Sequence, residues 1–240
     1  MRTASKLNDR WCGYTDVLNA TKVRSASQKR SLQMGTEFHG AAEALIKKIS
    51  INDCVVGIGP EPAGWFFSLA ESWIPPDGVT AEMALGLSPG GRYVEVVESE
   101  PHIYTSPHGL PLLTAGRADA VWMEDRTAVV LDWKTGRFAP SPPMDNLQLA
   151  ALGLSYAHKT GAEAMRLGLY MARSGEFLWT PDLPLDGPDA ARLWEGVKNS
   201  AGLSDVPRVG TWCGSCWNKK VCAPYAQTMA PSRRFLKVVQ

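Results

Sequence analysis

An α/β domain with a central mixed sheet flanked by helices is the architecture this sequence predicts. Three observations point there. Strand-like runs crowd the middle of the chain, between residues 80 and 134 and again between 165 and 180. Helix-periodic segments lie before and after them. A chain of 240 residues with 45% hydrophobic content is long enough for one well-packed domain. Strands grouped in the middle with helices on either side read as one sheet with both strand directions.

The elements follow in order. Residues 31–49, SLQMGTEFHGAAEALIKKI, read as a helix, because Phe38, Ala41, Ala42, Leu45, Ile46 and Ile49 recur at helical spacing. A shorter helix is expected over 64–73, before the Pro75-Pro76 break. Strands are expected at 80–87 and 91–98, around the turn signal Ser88-Pro89-Gly90-Gly91. Residues 116–136, GRADAVWMEDRTAVVLDWKTG, read as a hairpin turning at Glu124-Asp125-Arg126-Thr127. The Pro-rich stretch 138–143 reads as a surface loop, 144–159 as a second strong helix and 165–172 as a further strand. A short strand at 176–180 and a helix at 187–200 complete the body, and the cysteine-bearing C-terminus reads as an appendage. There is no internal repeat and no GxxxxGK[ST] phosphate loop, so the chain is not expected to power a motor. No run of 18 apolar residues exists, and MRTASKLNDR lacks the apolar core of a secretory signal. A cytoplasmic location without a membrane partner is the expectation.

The hairpin carries the chemistry. With the turn centred between Asp125 and Arg126, opposed residues have numbers summing to 251, which sets Asp119 against Asp132 with Cβ atoms about 4.5–5.5 Å apart. Alternation puts Lys134 on the same face, opposite Arg117. The other face, Ala118, Ala120 and Trp122 against Val129, Leu131 and Trp133, is nearly apolar, so one face is expected to build a core and the other to display charge. Two unpaired carboxylates so close repel, which raises one pKa or demands a cation. Carboxylates with water suit Mg²⁺ or Mn²⁺, and such an ion polarises phosphoryl oxygens. Lys134 would orient water or offset charge on phosphate. The competing reading is an ion-pair lattice with no metal. His39, at the margin of the first helix's apolar stripe, is a candidate third ligand. Gln148, opening the helix after the Pro-rich loop, is a candidate contact to water or phosphate, and Glu82 ranks below them as outer support.

Charge and cysteine point the same way. Residues 1–30 carry a net +5 and residues 206–240 a net +6, so the net −10 of residues 31–205 leaves a chain of net +1 with basic ends and an acidic body. Basic ends suit a polyanion. Cys213, Cys216 and Cys222 form C-x₂-C-x₅-C, one thiolate short of a tetrahedral site that Cys12 or Cys54 would complete.

Gly35-Thr36-Glu37-Phe38-His39, Gly116-Arg117-Ala118-Asp119, Asp132-Trp133-Lys134-Thr135-Gly136 and Gln148 occur in the order seen in RecB-like nucleases of the PD-(D/E)XK superfamily, and the chain resembles that family over roughly 35–156. It is similar to small stand-alone members such as phage exonucleases and CRISPR-associated adaptation nucleases. The resemblance implies a restriction-endonuclease-like core in one nuclease domain spanning 1–240, with a metal held by His39, Asp119, Asp132 and the backbone carbonyl of Trp133. Catalytic roles would fall on Asp119, Asp132, Lys134 and Gln148. Ala118 stands where the superfamily name has Pro, and Leu152 where many members have Tyr. Cys12 with Cys213, Cys216 and Cys222 is similar to the 4Fe–4S arrangement of the iron–sulfur branch, with zinc as the lesser alternative, and would make a C-terminal clasp joining 1–30 to 206–240. The implied function is a Mg²⁺- or Mn²⁺-dependent DNA exonuclease acting on free ends or single strands, with protein partners in recombination, repair or CRISPR adaptation. The alternative is a non-catalytic DNA-binding or assembly subunit that keeps the nuclease fold.

Overall fold

The computed structural model describes residues 4, 7, 25–100, 103–136, 140–202, 222, 223 and 226. The chain divides into two units, Met1–Asn8 with Arg24–Ala201, and Asp9–Val23 with Gly202–Gln240. The second lies almost wholly outside the described residues, and with it the expected clasp ligands Cys12, Cys213 and Cys216. Cys222 is half-buried. No helix among the described residues is long and apolar enough to cross a membrane.

The first unit is a mixed sheet with helices on both faces. Its elements are α1 (Ala26–Ile46), α2 (Ile51–Cys54), α3 (Pro60–Ser72), β1 (Thr80–Leu87), β2 (Tyr93–Val94), β3 (Val97–Glu100), β4 (Ile103–Thr105), β5 (Thr114–Glu124), β6 (Thr127–Lys134), α4 (Leu147–Thr160), β7 (Ala164–Met171), β8 (Glu176–Trp179), β9 (Leu183–Pro184) and α5 (Pro188–Ala201). The main sheet runs β2-β1-β5-β6-β7-β8, with β9 also on β7, while β3 and β4 pair separately. Among the described strands only β6 and β7 are parallel, joined by a crossover through α4.

Helix α1 starts five residues before the expected position. Ser25 and Gln28 form a reciprocal capping box, the Ser25 hydroxyl accepting from the Gln28 amide and the Gln28 side chain accepting from the Ser25 amide. The strand expected over 91–98 is split into β2 and β3, and β3 leaves the main sheet for a small hairpin with β4. The β5–β6 hairpin turns at Asp125 (φ 51), and its pairs from Glu124↔Thr127 to Ala120↔Leu131 have the expected register.

The hairpin does not have one apolar and one chemical face. Ala120, Trp122, Val129, Leu131 and Trp133 pack with Phe38 and Ala42 of α1 and Phe66 and Leu69 of α3. Val121, Ala128 and Val130 are equally buried, against Leu149, Ala150 and Leu152 of α4. A strand adjacent to a parallel neighbour and covered on both sides needs a continuous apolar run, and Ala128-Val129-Val130-Leu131 is one. Within β6, charge enters only at its end, with Asp132 and Lys134, and there, beside Asp119 and Arg117 of β5, the site is built.

Candidate metal centre

Pairing between β5 and β6 ends at Ala120↔Leu131. Beyond it β5 stays with β1, from Met83↔Ala118 to Leu87↔Thr114, and β6 stays with β7 as far as Lys134↔Met171. Asp119 therefore has no cross-strand partner in Asp132. Instead its Oδ2 accepts the Trp133 amide at 2.7 Å, a side chain standing where a ladder carbonyl would. Lys134 does not face Arg117 either. A cavity of about 710 Å³ opens here, lined by Asp119, Asp132, Lys134, Gln148, His39 and Glu82 among others.

Asp132, Lys134 and Gln148 form a closed triangle. The Lys134 ammonium is 2.6 Å from Asp132 Oδ2. Gln148 accepts from Lys134 at 3.3 Å and donates to Asp132 Oδ1 at 3.0 Å. Gln148 is placed by its helix start: the Asn146 side chain caps α4 by accepting from the amides of Gln148 and Leu149. Burial pushes the Asp132 carboxyl up and repulsion from Asp119 adds to this, against the pull of Lys134. Burial alone would lower Lys134, but the Asp132 and Asp119 charges outweigh it and hold the ammonium above its usual range. Asp132 Oδ2 is buried and, although the ammonium is near, has no aligned hydrogen bond.

A second group meets Asp119 from the other side. Gly35 lets α1 approach closely, since a Cβ there would come within 3.0 Å of the Thr135 hydroxyl. One turn on, His39 Nδ1 lies 3.3 Å from Asp119 Oδ1. Burial would lower the His39 pKa, but Asp119, then Asp132 and Glu82, reverse this and push it up to about 9. Burial would raise Asp119, yet His39, the Trp133 amide and Lys134 hold it below the usual carboxylate range. Two carboxyls driven apart in this way have distinct roles available to them.

Glu82 joins them through a distorted backbone. Ala81↔Ala120 and Met83↔Ala118 flank it in one register, but Glu82 itself has φ 54 and drops out of the ladder opposite Asp119. A left-handed non-glycine costs on the order of 1–3 kcal/mol and persists only where its surroundings hold it. Here Arg117 Nε lies 2.5 Å from Glu82 Oε2, and Arg117 also reaches Glu98 of β3 at 3.4 Å. Burial raises the Glu82 carboxyl, Asp119 adds to it, and Arg117 and His39 oppose.

The donor set fits a hard or borderline divalent ion. One ligand atom each from His39, Glu82 and Asp119 lie within 4.8 Å of one another. Carboxylate oxygens with one imidazole suit Mn²⁺ or Mg²⁺ better than a thiolate metal. Of the residues expected from sequence, His39 and Asp119 belong to this group, Asp132 is near enough for its charge to act on both of them, Lys134 and Gln148 hold Asp132 from the other side, and the Trp133 ring is buried in the core while its amide holds Asp119. Glu82, ranked lowest from sequence, stands inside the group. Its signal was faint: an acidic residue in an otherwise apolar strand run, TAEMALGL.

The chain matches no family model and no curated protein. Among solved structures it is similar to "Crystal structure of SSO0001", at 17% identity over 91% of this chain and 95% of that chain with a TM-score of 0.35, a likeness too distant to carry an argument.

Proposed function

We propose that this protein is a divalent-metal-dependent deoxyribonuclease on a restriction-endonuclease-like core, hydrolysing phosphodiester bonds at DNA ends. The observation that carries the reading is the convergence of His39, Glu82, Asp119, Asp132, Lys134 and Gln148 on one cavity. The motifs that resemble RecB-like nucleases supply these same residues, Glu82 apart. Mg²⁺ or Mn²⁺ on His39, Glu82 and Asp119, with Asp132 alongside, would polarise a phosphoryl oxygen and acidify water. The protein's own groups do the rest. Lys134 stays protonated between two acids and offsets charge on the phosphoryl oxygens as the bond to the leaving oxygen breaks. Gln148 holds Lys134 and Asp132 in one geometry, so neither needs to reorganise during the reaction. Asp119 is fixed by main chain and imidazole together.

The test is cleavage of end-labelled DNA with Mg²⁺ or Mn²⁺. Asp132→Ala and Lys134→Ala proteins that stay folded should each lose at least about a hundredfold in rate. Undiminished cleavage in both removes these residues from the mechanism. The second reading, a DNA-binding or assembly subunit without catalysis, draws on Leu152, which is buried in the core and offers a substrate nothing. Salt-sensitive DNA binding with no cleavage under any divalent metal would select it. Cys12, Cys213, Cys216 and Cys222 are proposed as ligands of a 4Fe–4S cluster, on the support of their spacing.

A further inference from the structure

Arg117 lines the same cavity and stands on the metal group without belonging to it. Its guanidinium is 2.5 Å from Glu82 and 3.4 Å from Glu98, and its side chain is 46% exposed. Glu82 therefore has two claimants, this guanidinium and the cation that the His39, Glu82 and Asp119 donors fit. They compete: an ion on Glu82 removes Arg117's nearest counter-charge and sets a like charge beside it. A guanidinium so released, two residues before Asp119 on β5 and open to the cavity, keeps Glu98 on Nη1 and has its Nε edge free for a second anion.

We propose that Arg117 is a phosphate clamp coupled to metal occupancy, parked on Glu82 in the metal-free protein and turned to a backbone phosphate of the nucleic-acid strand once an ion takes Glu82. The planar fork of guanidinium matches phosphate geometry, and phosphate contacts fix the register of a strand without reading its sequence. Glu98 keeps hold of the side chain from β3 during the exchange, so it need not swing into solvent. Metal and strand then favour each other's binding, by the same factor in either order. The proposal rests on the nuclease reading above.

The experiment measures Mn²⁺ affinity from the electron paramagnetic resonance of the free ion, with and without a short single-stranded phosphorothioate oligonucleotide that resists hydrolysis. In the wild type the oligonucleotide should tighten Mn²⁺ binding roughly tenfold or more, the scale of one charge-assisted contact. Arg117→Gln should bind Mn²⁺ several-fold tighter than wild type when the oligonucleotide is absent, and should lose most of the gain when it is present. Arg117→Lys keeps the charge but not the fork and should retain only part of the gain; it carries the comparison if the glutamine variant does not fold. Equal Mn²⁺ affinity and an equal gain across the variants overturn the clamp. Wild-type cleavage of ordinary single-stranded DNA with no such coupling overturns the clamp and leaves the nuclease reading standing. A wild type that neither binds nor cleaves DNA overturns both.

Discussion

Protons and divalent ions should compete for His39, and the competition can be sized. The imidazole lies 3.3 Å from Asp119. Burial, which would lower its pKa, is outweighed by Asp119, Asp132 and Glu82, leaving it at about 9. Only the neutral imidazole binds metal. At pH 7, about two units below that value, roughly one molecule in a hundred is ready to bind. Apparent Mn²⁺ affinity should therefore rise about tenfold per pH unit between pH 7 and 8, and level off as pH passes about 9. Calorimetry in buffers of different ionisation enthalpy should count close to one proton released per ion bound near pH 7.5. His39→Gln should flatten most of the slope and abolish most of the release. The sign reverses for the metal-free fold. A histidine raised above its ordinary 6.5 contributes stability that is fully present below that value and lost as pH rises through about 9. Thermal unfolding without metal should accordingly fall across that window in the wild type and less so in His39→Gln. Wild-type Mn²⁺ affinity that is flat from pH 7 to 8, with no proton released, would refute the argument that His39 is a ligand held protonated by these acids.

Three further outcomes are expected. Gly40→Ala should raise stability by about 0.5–1 kcal/mol and the melting temperature by a few degrees, because Gly40 sits inside α1 with nothing within 4 Å of a would-be Cβ; a lower melting temperature contradicts this. Gly168→Ala should destabilise by about 1–3 kcal/mol, because a Cβ on β7 would run into the Trp179 ring of β8, and a denaturant midpoint equal to wild type would show that the ring can move aside. Protein purified without oxygen should absorb visible light as iron–sulfur clusters do and lose that absorbance in Cys216→Ala, whereas a colourless protein carrying zinc would assign the thiolates to the other metal.

Much of the framework was legible because it rests on local signals. The turn Glu124 to Thr127 sets the hairpin register, and β1, α3, β7, β8 and α5 follow from runs bounded by Gly, Pro or capping residues. The start of α1 was written in Ser25 and Gln28 but lies outside the apolar period that marks the rest of the helix. The site was legible only in part. Lys134 and Asp132 are near neighbours in sequence, so their pairing is local, and Gln148 comes with a helix start. The parting of β5 from β6 is not local. It depends on β5 keeping β1 and β6 keeping β7 past Asp119, and opposed residues counted from the turn cannot foresee it. Glu82 was underrated for the same reason, since both its neighbour Asp119 and its left-handed backbone arise from β1–β5 pairing.

The amide of Trp133 holds Asp119 with an atom that every residue but one carries. Side-chain changes at 133 would disturb its edge-on packing with the Phe38, Trp73 and Tyr170 rings, yet leave that grip on the acid intact. Proline alone would take the donor away. The orientation of the central carboxylate is thus written into the chain path, and sequence drift around it has little purchase.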